Sequence, residues 1–259
     1  MKALVTGATS GIGQSIAKKL SAKGWKLILT GRNEKKLQEM QSSLGTETKI
    51  ITADLSKRED VFKVYDLCKD KDIDMLVNNA GYGLFGKFDD TDLEDELNMI
   101  DVNIIALHIL TKLFLRDFKK RDKGIILNVA SAAGFMSGPL MAAYYASKNY
   151  VLRLSLAIYE ELRRDRSHVS ITVLCPGPVD TNFNNRAGVS FSVKPITADY
   201  AAEYALNKAL LGKFFAIPGT MVRLGTWGAR FLPHKMLSAI VYNIQQAKKT
   251  SDGKDKALK

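Results

Sequence analysis

Strand-like and helix-like segments alternate along most of this chain, and few folds accommodate that order. Short β-branched and leucine-rich runs at Ala3–Thr6, Lys26–Thr30, Lys49–Ala53, Met75–Asn78, Ile125–Val129, Ser170–Leu174 and Phe214–Ile217 read as buried strands. The stretches Gly11–Lys23, Glu34–Leu44, Lys57–Asp70, Leu93–Phe118, Ala143–Arg164 and Ala198–Leu211 carry helical periodicity, with Thr197 placed to cap the last. Alternation of this kind predicts an α/β fold: a doubly wound, mostly parallel sheet covered on both faces, with ligands at the carboxyl ends of its strands.

A chain of 259 residues with 46% hydrophobic and 25% charged side chains can build this as one domain. Residues 1–218 hold the alternating part. Residues 219–247 mix apolar side chains with Arg223, Arg230, Pro233 and His234 and read as one or two broken helices; they can cover a pocket, form a subunit contact or rest on a membrane surface. Residues 248–259 form a polar, lysine-rich tail expected to fray. The stretch from Pro176 to Pro195 lacks periodicity, as a substrate lid or a tolerated insertion would; because it follows a central strand on the ligand side, a lid is the expectation.

The formal net charge of +11 raises the question of nucleic acid, but the lysines are scattered and no basic run is interleaved with aromatics. No nucleic-acid partner is expected, and no metal. Cys68 and Cys175 suit small core residues in a reducing compartment better than a disulfide. The first strand begins close to Met1, so no signal peptide is expected. Arg230, His234 and Lys235 interrupt the best candidate for a membrane span, and a cytoplasmic location is the expectation.

Thr6-Gly7-Ala8-Thr9-Ser10-Gly11-Ile12-Gly13 follows the first strand and opens a helix. Glycines there let the backbone turn tightly and approach a pyrophosphate, whose charge is favoured by the helix's free amides. Downstream, Tyr144 and Lys148 are four residues apart and share a helix face. A free phenol titrates near 10, too high for proton transfer at neutral pH, and a nearby ammonium lowers it. Ser131, after the apolar run that ends at Ala130, can donate a hydrogen bond to the same substrate oxygen. A Tyr and Lys one turn apart also occur on solvated helix faces, so the pair gains meaning from its company.

These motifs, together with Asn78-Asn79-Ala80-Gly81 after the fourth strand, Asn103 in the long helix and Pro176-Gly177, resemble the short-chain dehydrogenase/reductase family in its single-domain branch. The resemblance spans about residues 2 to 218 and implies a Rossmann-type fold with an NADP-binding catalytic domain over 1–218. It implies that Tyr144 is the general acid or base, that Ser131 holds the substrate oxygen, that Lys148 binds the nicotinamide ribose and lowers the tyrosine pKa, and that Asn103 orients a water beside Lys148. For Asn103 the alternative is a polar side chain satisfied by backbone. The resemblance also implies cofactor contacts at Gly7, Thr9, Ser10, Gly11, Ile12, Gly13, Asp54, Leu55, Asn79, Ala80, Gly81, Tyr144, Lys148, Pro176, Gly177, Val179 and Thr181. Asp54 can equally be a turn residue before Ser56.

At the end of the second strand, where an NAD-binding protein usually places a carboxylate, this chain has Gly31 followed by Arg32. A guanidinium grips a 2′-phosphate bidentately, so NADP(H) is expected over NAD(H). Phe135, Met136, Leu140 and Met141, with Phe183 and Phe191 from the lid, either suggest an apolar carbonyl or alcohol substrate or anchor their turns in the core. The family implies a homodimer or homotetramer through the helices at Leu93–Phe118 and Ala143–Arg164. An NADP(H)-binding sensor or scaffold without chemistry is the alternative function, and an epimerase or dehydratase a third.

Overall fold

The computed structural model describes residues 1–181 and 195–256, the stretch 247–256 by its backbone alone. Six strands, β1 (Lys2–Thr6), β2 (Lys26–Gly31), β3 (Thr48–Thr52), β4 (Met75–Asn78), β5 (Gly124–Val129) and β6 (Val169–Leu174), alternate with helices. Two-residue strands β7 (Val179–Asp180) and β8 (Ile196–Thr197) pair with each other, and β9 (Phe215–Ala216) joins β6. Among the described residues the main sheet is parallel throughout, in the order β3-β2-β1-β4-β5-β6-β9. The order reverses between β1 and β4, which opens a crevice at their carboxyl ends. The expected doubly wound α/β fold is present.

The strands are apolar on both sides because both sides are covered. Successive residues point to opposite faces, so Ala3, Val5, Leu27 and Leu29 meet Ile16 and Leu20 of α1 (Gly11–Ala22) and Leu37 of α2 (Glu34–Ser43). The helix α7 (Ala198–Leu210) adds Ala202, Ala205 and Leu206 to that face. Leu4, Ile28, Leu76 and Ile126 face the other way. They pack with Val61 and Val64 of α3 (Arg58–Cys68), Phe114 and Phe118 of α5 (Leu107–Lys120), and Leu152 and Ile158 of α6 (Ala142–Arg164).

The segment expected as one α-helix at Leu93–Phe118 departs from that expectation in the middle. It runs as α4 (Leu93–Ile100), a π-helical stretch at Asp101–Ala106, then α5. By length and composition alone Leu93–Lys120 would cross a membrane, a test the core helix of a globular protein also passes. Here Leu107, Leu110, Phe114 and Phe118 are packed in the core, which accounts for the apolarity.

After β9 come α8 (Thr220–Gly228), a 3₁₀ turn at Ala229–Phe231, and α9 (His234–Lys256). The helix therefore continues past Lys248, where composition alone suggested fraying; no proline lies in 248–256 to stop it. Phe183 and Phe191, with residues 182–194 of the expected lid, lie outside the described residues.

Candidate active site

One cleft of about 680 Å³ crosses the carboxyl ends of the strands, in the size range of pockets that hold cofactors. Its first wall is the turn after β1. Ser10 occupies the N-cap of α1 without a side-chain cap hydrogen bond, whereas Asn33, Asp92 and Thr197 each cap their helices by accepting from Lys36 N, Asp95 N and Tyr200 N. The first amides of α1 are thus left for another acceptor, and the cleft reaches them at Gly7, Thr9, Ser10, Gly11 and Ile12.

Gly13 does not line this cleft. A Cβ there would stand 2.3 Å from Asn79 Nδ2 and 2.4 Å from the Gly7 carbonyl, so this glycine permits close packing of the turn instead. Asn79 explains that crowding: its Nδ2 donates to the carbonyls of Thr6 and Gly7, both at 3.1 Å. Thr6 Oγ1 accepts from the amides of Asn79 and Ala80 at 2.9 and 3.0 Å. Asn79, Ala80 and Gly81 line the cleft, and the Asn79 side chain splints the glycine turn.

At the far end the cleft is lined by Gly31, Arg32, Asn33, Lys36, Asp54 and Leu55. Arg32 and Lys36 are exposed and bring two cations to one place. Lys36 escaped sequence reasoning, which stopped at the residue beside the strand; its signal was a lysine three residues after the helix cap Asn33. Asp54 does what a turn residue does, its Oδ1 accepting from Ser56 N at 3.2 Å and Ser56 Oγ at 2.9 Å.

At the other end Ser131, Tyr144 and Lys148 converge. Ser131 follows β5 and accepts from Ala133 N at 3.2 Å. Its hydroxyl also hydrogen-bonds the phenol of Tyr144. Tyr144 and Lys148 lie on successive turns at the start of α6, both buried. Lys148 Nζ donates to the Val129 carbonyl at 3.0 Å and sits 5.9 Å from the centre of the Tyr144 ring. Burial pushes the phenol up to about 12 despite the Ser131 bond, and lowers Lys148 to about 8. Desolvation thus sets the direction for the phenol, and the ammonium is turned toward a carbonyl.

Asn103, in the π-helical stretch, is 1% exposed and does not line the cleft. Its Oδ1 accepts from Tyr82 N at 3.1 Å, and its Nδ2 donates to Tyr82 O at 2.9 Å and Ser147 Oγ at 3.1 Å. Ser147 Oγ in turn donates to the Tyr144 carbonyl at 2.7 Å. The side chain thus ties the turn after β4 to α6, with backbone as its main partner. A Cβ at Gly81 would come within 2.8 Å of Asn103 Oδ1 and 3.4 Å of Lys148 Nζ, so only glycine lets this turn lie so close.

Pro176, Gly177, Val179 and Thr181 form the remaining edge, and Tyr82, Val102, Met141 and Tyr145 surround the space beside Tyr144. Phe135 and Met136 are half-buried and anchor their turn, Phe135 against the cluster beneath α6 and Met136 against α9, the second of the two readings left open by the sequence. Leu140 is buried outside this cleft too, because Met141 takes the wall position. Ile244 and Gln245 from α9 complete the wall, and Gln245 Nε2 donates to the Tyr145 hydroxyl at 2.6 Å. Nothing in the sequence around residue 245 marks it, since its partner is 100 residues away. Among the described residues no cluster of His, Cys, Asp or Glu could hold a metal ion.

A serine and a phenol at one end of a cleft, with a helix's open amides midway, place this chain in the nucleotide-binding α/β class. The short chain dehydrogenase family model matches residues 1–189, and the chain belongs to the short-chain dehydrogenase/reductase family. It is 39% identical over 182 residues to an uncharacterized oxidoreductase of Staphylococcus epidermidis, covering 69% of this chain and 78% of that protein. It is 35% identical over 207 residues to a very-long-chain 3-oxoacyl-CoA reductase of Anas platyrhynchos, covering 76% of this chain and 65% of that one. Among solved structures, a short-chain dehydrogenase from Sphingobium yanoikuyae in complex with NADPH superposes with a TM-score of 0.80 at 27% identity, over 88% of this chain and 93% of its own. A family member from Burkholderia phymatum in complex with NAD shares the fold, with a TM-score of 0.79 at 24% identity over 87% and 91% of the two chains.

Proposed function

We propose that this oxidoreductase uses NADP(H) to interconvert a carbonyl and a secondary alcohol on an apolar substrate, with Tyr144 as the acid and base. The observation that carries this is the pairing of the Ser131 hydroxyl with the Tyr144 phenol above Lys148, at one end of a cleft whose other end holds Arg32 and Lys36. The donor set fits a nicotinamide dinucleotide. The uncapped amides of α1 suit its pyrophosphate, Asp54, Leu55 and Ala80 the adenosine, and Lys148 with Val179 and Thr181 the nicotinamide ribose and amide. The relative solved with NADPH supports a nicotinamide cofactor. Arg32 and Lys36, with no carboxylate on Gly31, support the phosphorylated form.

Lys148, Val179 and Thr181 would hold the nicotinamide, whose chemistry would be to supply a hydride to the carbonyl carbon or accept one from the alcohol carbon. Ser131 holds the substrate oxygen by a hydrogen bond. In reduction Tyr144 gives its phenolic proton to that oxygen as the hydride arrives at carbon, so the alcohol forms with its charge balanced. A phenol at about 12 is protonated at neutral pH, the state reduction requires. Lys148, mostly an ammonium below about 8, offsets the charge left on the phenolate. Oxidation runs the same transfers backward.

Tyr82, Val102, Met141 and Tyr145 around the reacting end favour an apolar ketone, and the reductase from Anas platyrhynchos supports a long acyl chain among the candidates. The exposed Leu93, Leu97, Tyr150 and Leu156 on α4 and α6 are suited to a contact between copies, giving a homodimer or homotetramer. Cys68 and Cys175, buried and free, are consistent with a reducing, cytoplasmic setting. The test is a panel of ketones graded from small and polar to long and apolar, followed by loss of NADPH absorbance. Turnover that rises along the series and runs faster with NADPH than NADH is expected; turnover with NADH alone, or only of small polar ketones, would overturn these assignments.

A further inference from the structure

The helices after β9 turn an apolar, basic face to solvent. Their inner side is accounted for. Ala229, Leu237 and Val241 pack with Met136, Tyr145 and Leu232, and the hydroxyls of Ser238 and Ser137 lie 2.5 Å apart. The outer side has no such partners among the described residues. Met221, Leu224 and Trp227 recur every third residue along α8, 83%, 66% and 61% exposed, and Phe231 follows at 69%. The rings of Trp227 and Phe231 meet edge-on with centres 4.9 Å apart. On α9 Met236, Ile240 and Ile244 are also exposed, at four-residue spacing. Large apolar side chains clustered this way on a surface mark a contact.

Charge says what the contact is with. Between Glu203 and Asp252 the sequence has no Asp or Glu at all, whereas Arg223, Arg230 and Lys235 are exposed among the apolar side chains. A second copy docking by the same face would set these cations against their own kind with no carboxylate to offset them. An anionic bilayer suits every part of the face. Trp takes the headgroup level, Phe, Met and Leu enter the acyl boundary, and Arg and Lys bury their stems while their heads reach phosphate.

We propose that the outer face of α8 and α9 docks on an anionic lipid bilayer. The cleft opens beside this face. Ile244 and Gln245 line it from α9, and Val222 of α8 rests on its rim, where a Cβ on Gly177 would lie 2.7 Å from Val222 Cγ2. An apolar carbonyl compound dissolved in the membrane then reaches Tyr144 with little passage through water. That last consequence rests on the proposed function; the docking itself does not.

The full chain is mixed with vesicles of phosphatidylcholine alone and of phosphatidylcholine with phosphatidylglycerol, then sedimented. Trp25 is 2% exposed, so a shift in tryptophan emission on mixing reports Trp227. We expect a blue shift and sedimentation with the anionic vesicles, weakened by added salt. Replacing Arg223 and Arg230 together by Ser should lower the partition coefficient by about tenfold or more. A Trp227→Ser, Phe231→Ser double variant should stay in the supernatant while keeping its fold by circular dichroism. Tyr144→Phe should bind vesicles like the parent, so loss of the catalytic assignment and loss of docking are read separately. The proposal is overturned by a parent chain that stays in the supernatant with unchanged emission. It is equally overturned by a parent dimer that the double variant turns into monomer, which assigns the face to a second copy.

Discussion

Lys148 and Tyr144 stand on successive turns of one helix, yet the Lys148 ammonium donates to the Val129 carbonyl at the end of β5 rather than to the phenol. The lysine is thereby fixed to the sheet at the crevice, and Ser131 engages the phenol. Both groups are held at the carboxyl end of β5, at Val129 and Ser131, so their relative position depends on the packing of β5 against α6 rather than on the helix alone.

Because burial lowers Lys148 to about 8, its ammonium is present below that pH and lost as pH rises through it. An anionic dinucleotide binds best while the ammonium is there. NADPH affinity, measured by fluorescence titration, should weaken as pH climbs through about 8 in the parent. Lys148→Met should bind more weakly at neutral pH and show no such step; a parent affinity that stays level through the alkaline range would contradict the assignment. For folding the sign is opposite: the group's contribution is fully present above 10.5 and lost as pH falls through about 8.

Arg32 and Lys36 share the adenosine end of the cleft, where a carboxylate would repel a 2′-phosphate. Arg32→Asp should raise the Michaelis constant for NADPH by at least about tenfold, the value of a hydrogen bond to a charged group, and leave that for NADH nearly unchanged. Lys36→Ala should act in the same direction. Equal changes for both cofactors would remove the case for the phosphorylated form.

Gly13 has no room for a methyl group, which would sit 2.3 Å from Asn79 Nδ2 and 2.4 Å from the Gly7 carbonyl. Gly13→Ala should lower stability in urea unfolding by about 1–3 kcal/mol through forced displacement of that splint. Gly45 has open space around it, so Gly45→Ala serves as the control and should change little. Comparable losses in both would show that crowding at the turn is not the cause.

Much of this was legible in the sequence. Seven apolar runs between amphipathic stretches foretold the sheet, because strands buried on both faces leave an unbroken apolar signature. The offsets of Ser131, Tyr144 and Lys148 were readable because one helix turn and one strand end set them. The π-helical stretch at Asp101–Ala106 was not, since a change of hydrogen-bond partner leaves the apolar spacing almost as it was. Nor were the partners of Asn103, which lie 21 and 44 residues away at Tyr82 and Ser147. The upward push on Tyr144 was hidden for a related reason: proximity of a lysine is written in the sequence, but the depth at which both groups are buried is a property of the packed core.

The most direct test of the central claim is NADPH-dependent reduction of an apolar ketone by Tyr144→Phe, with NADPH binding measured on the same sample. The account predicts retained binding and a fall in turnover of roughly a thousandfold, the contribution of one positioned proton donor. Turnover within a few-fold of the parent would contradict it, because the proton would then come from another group.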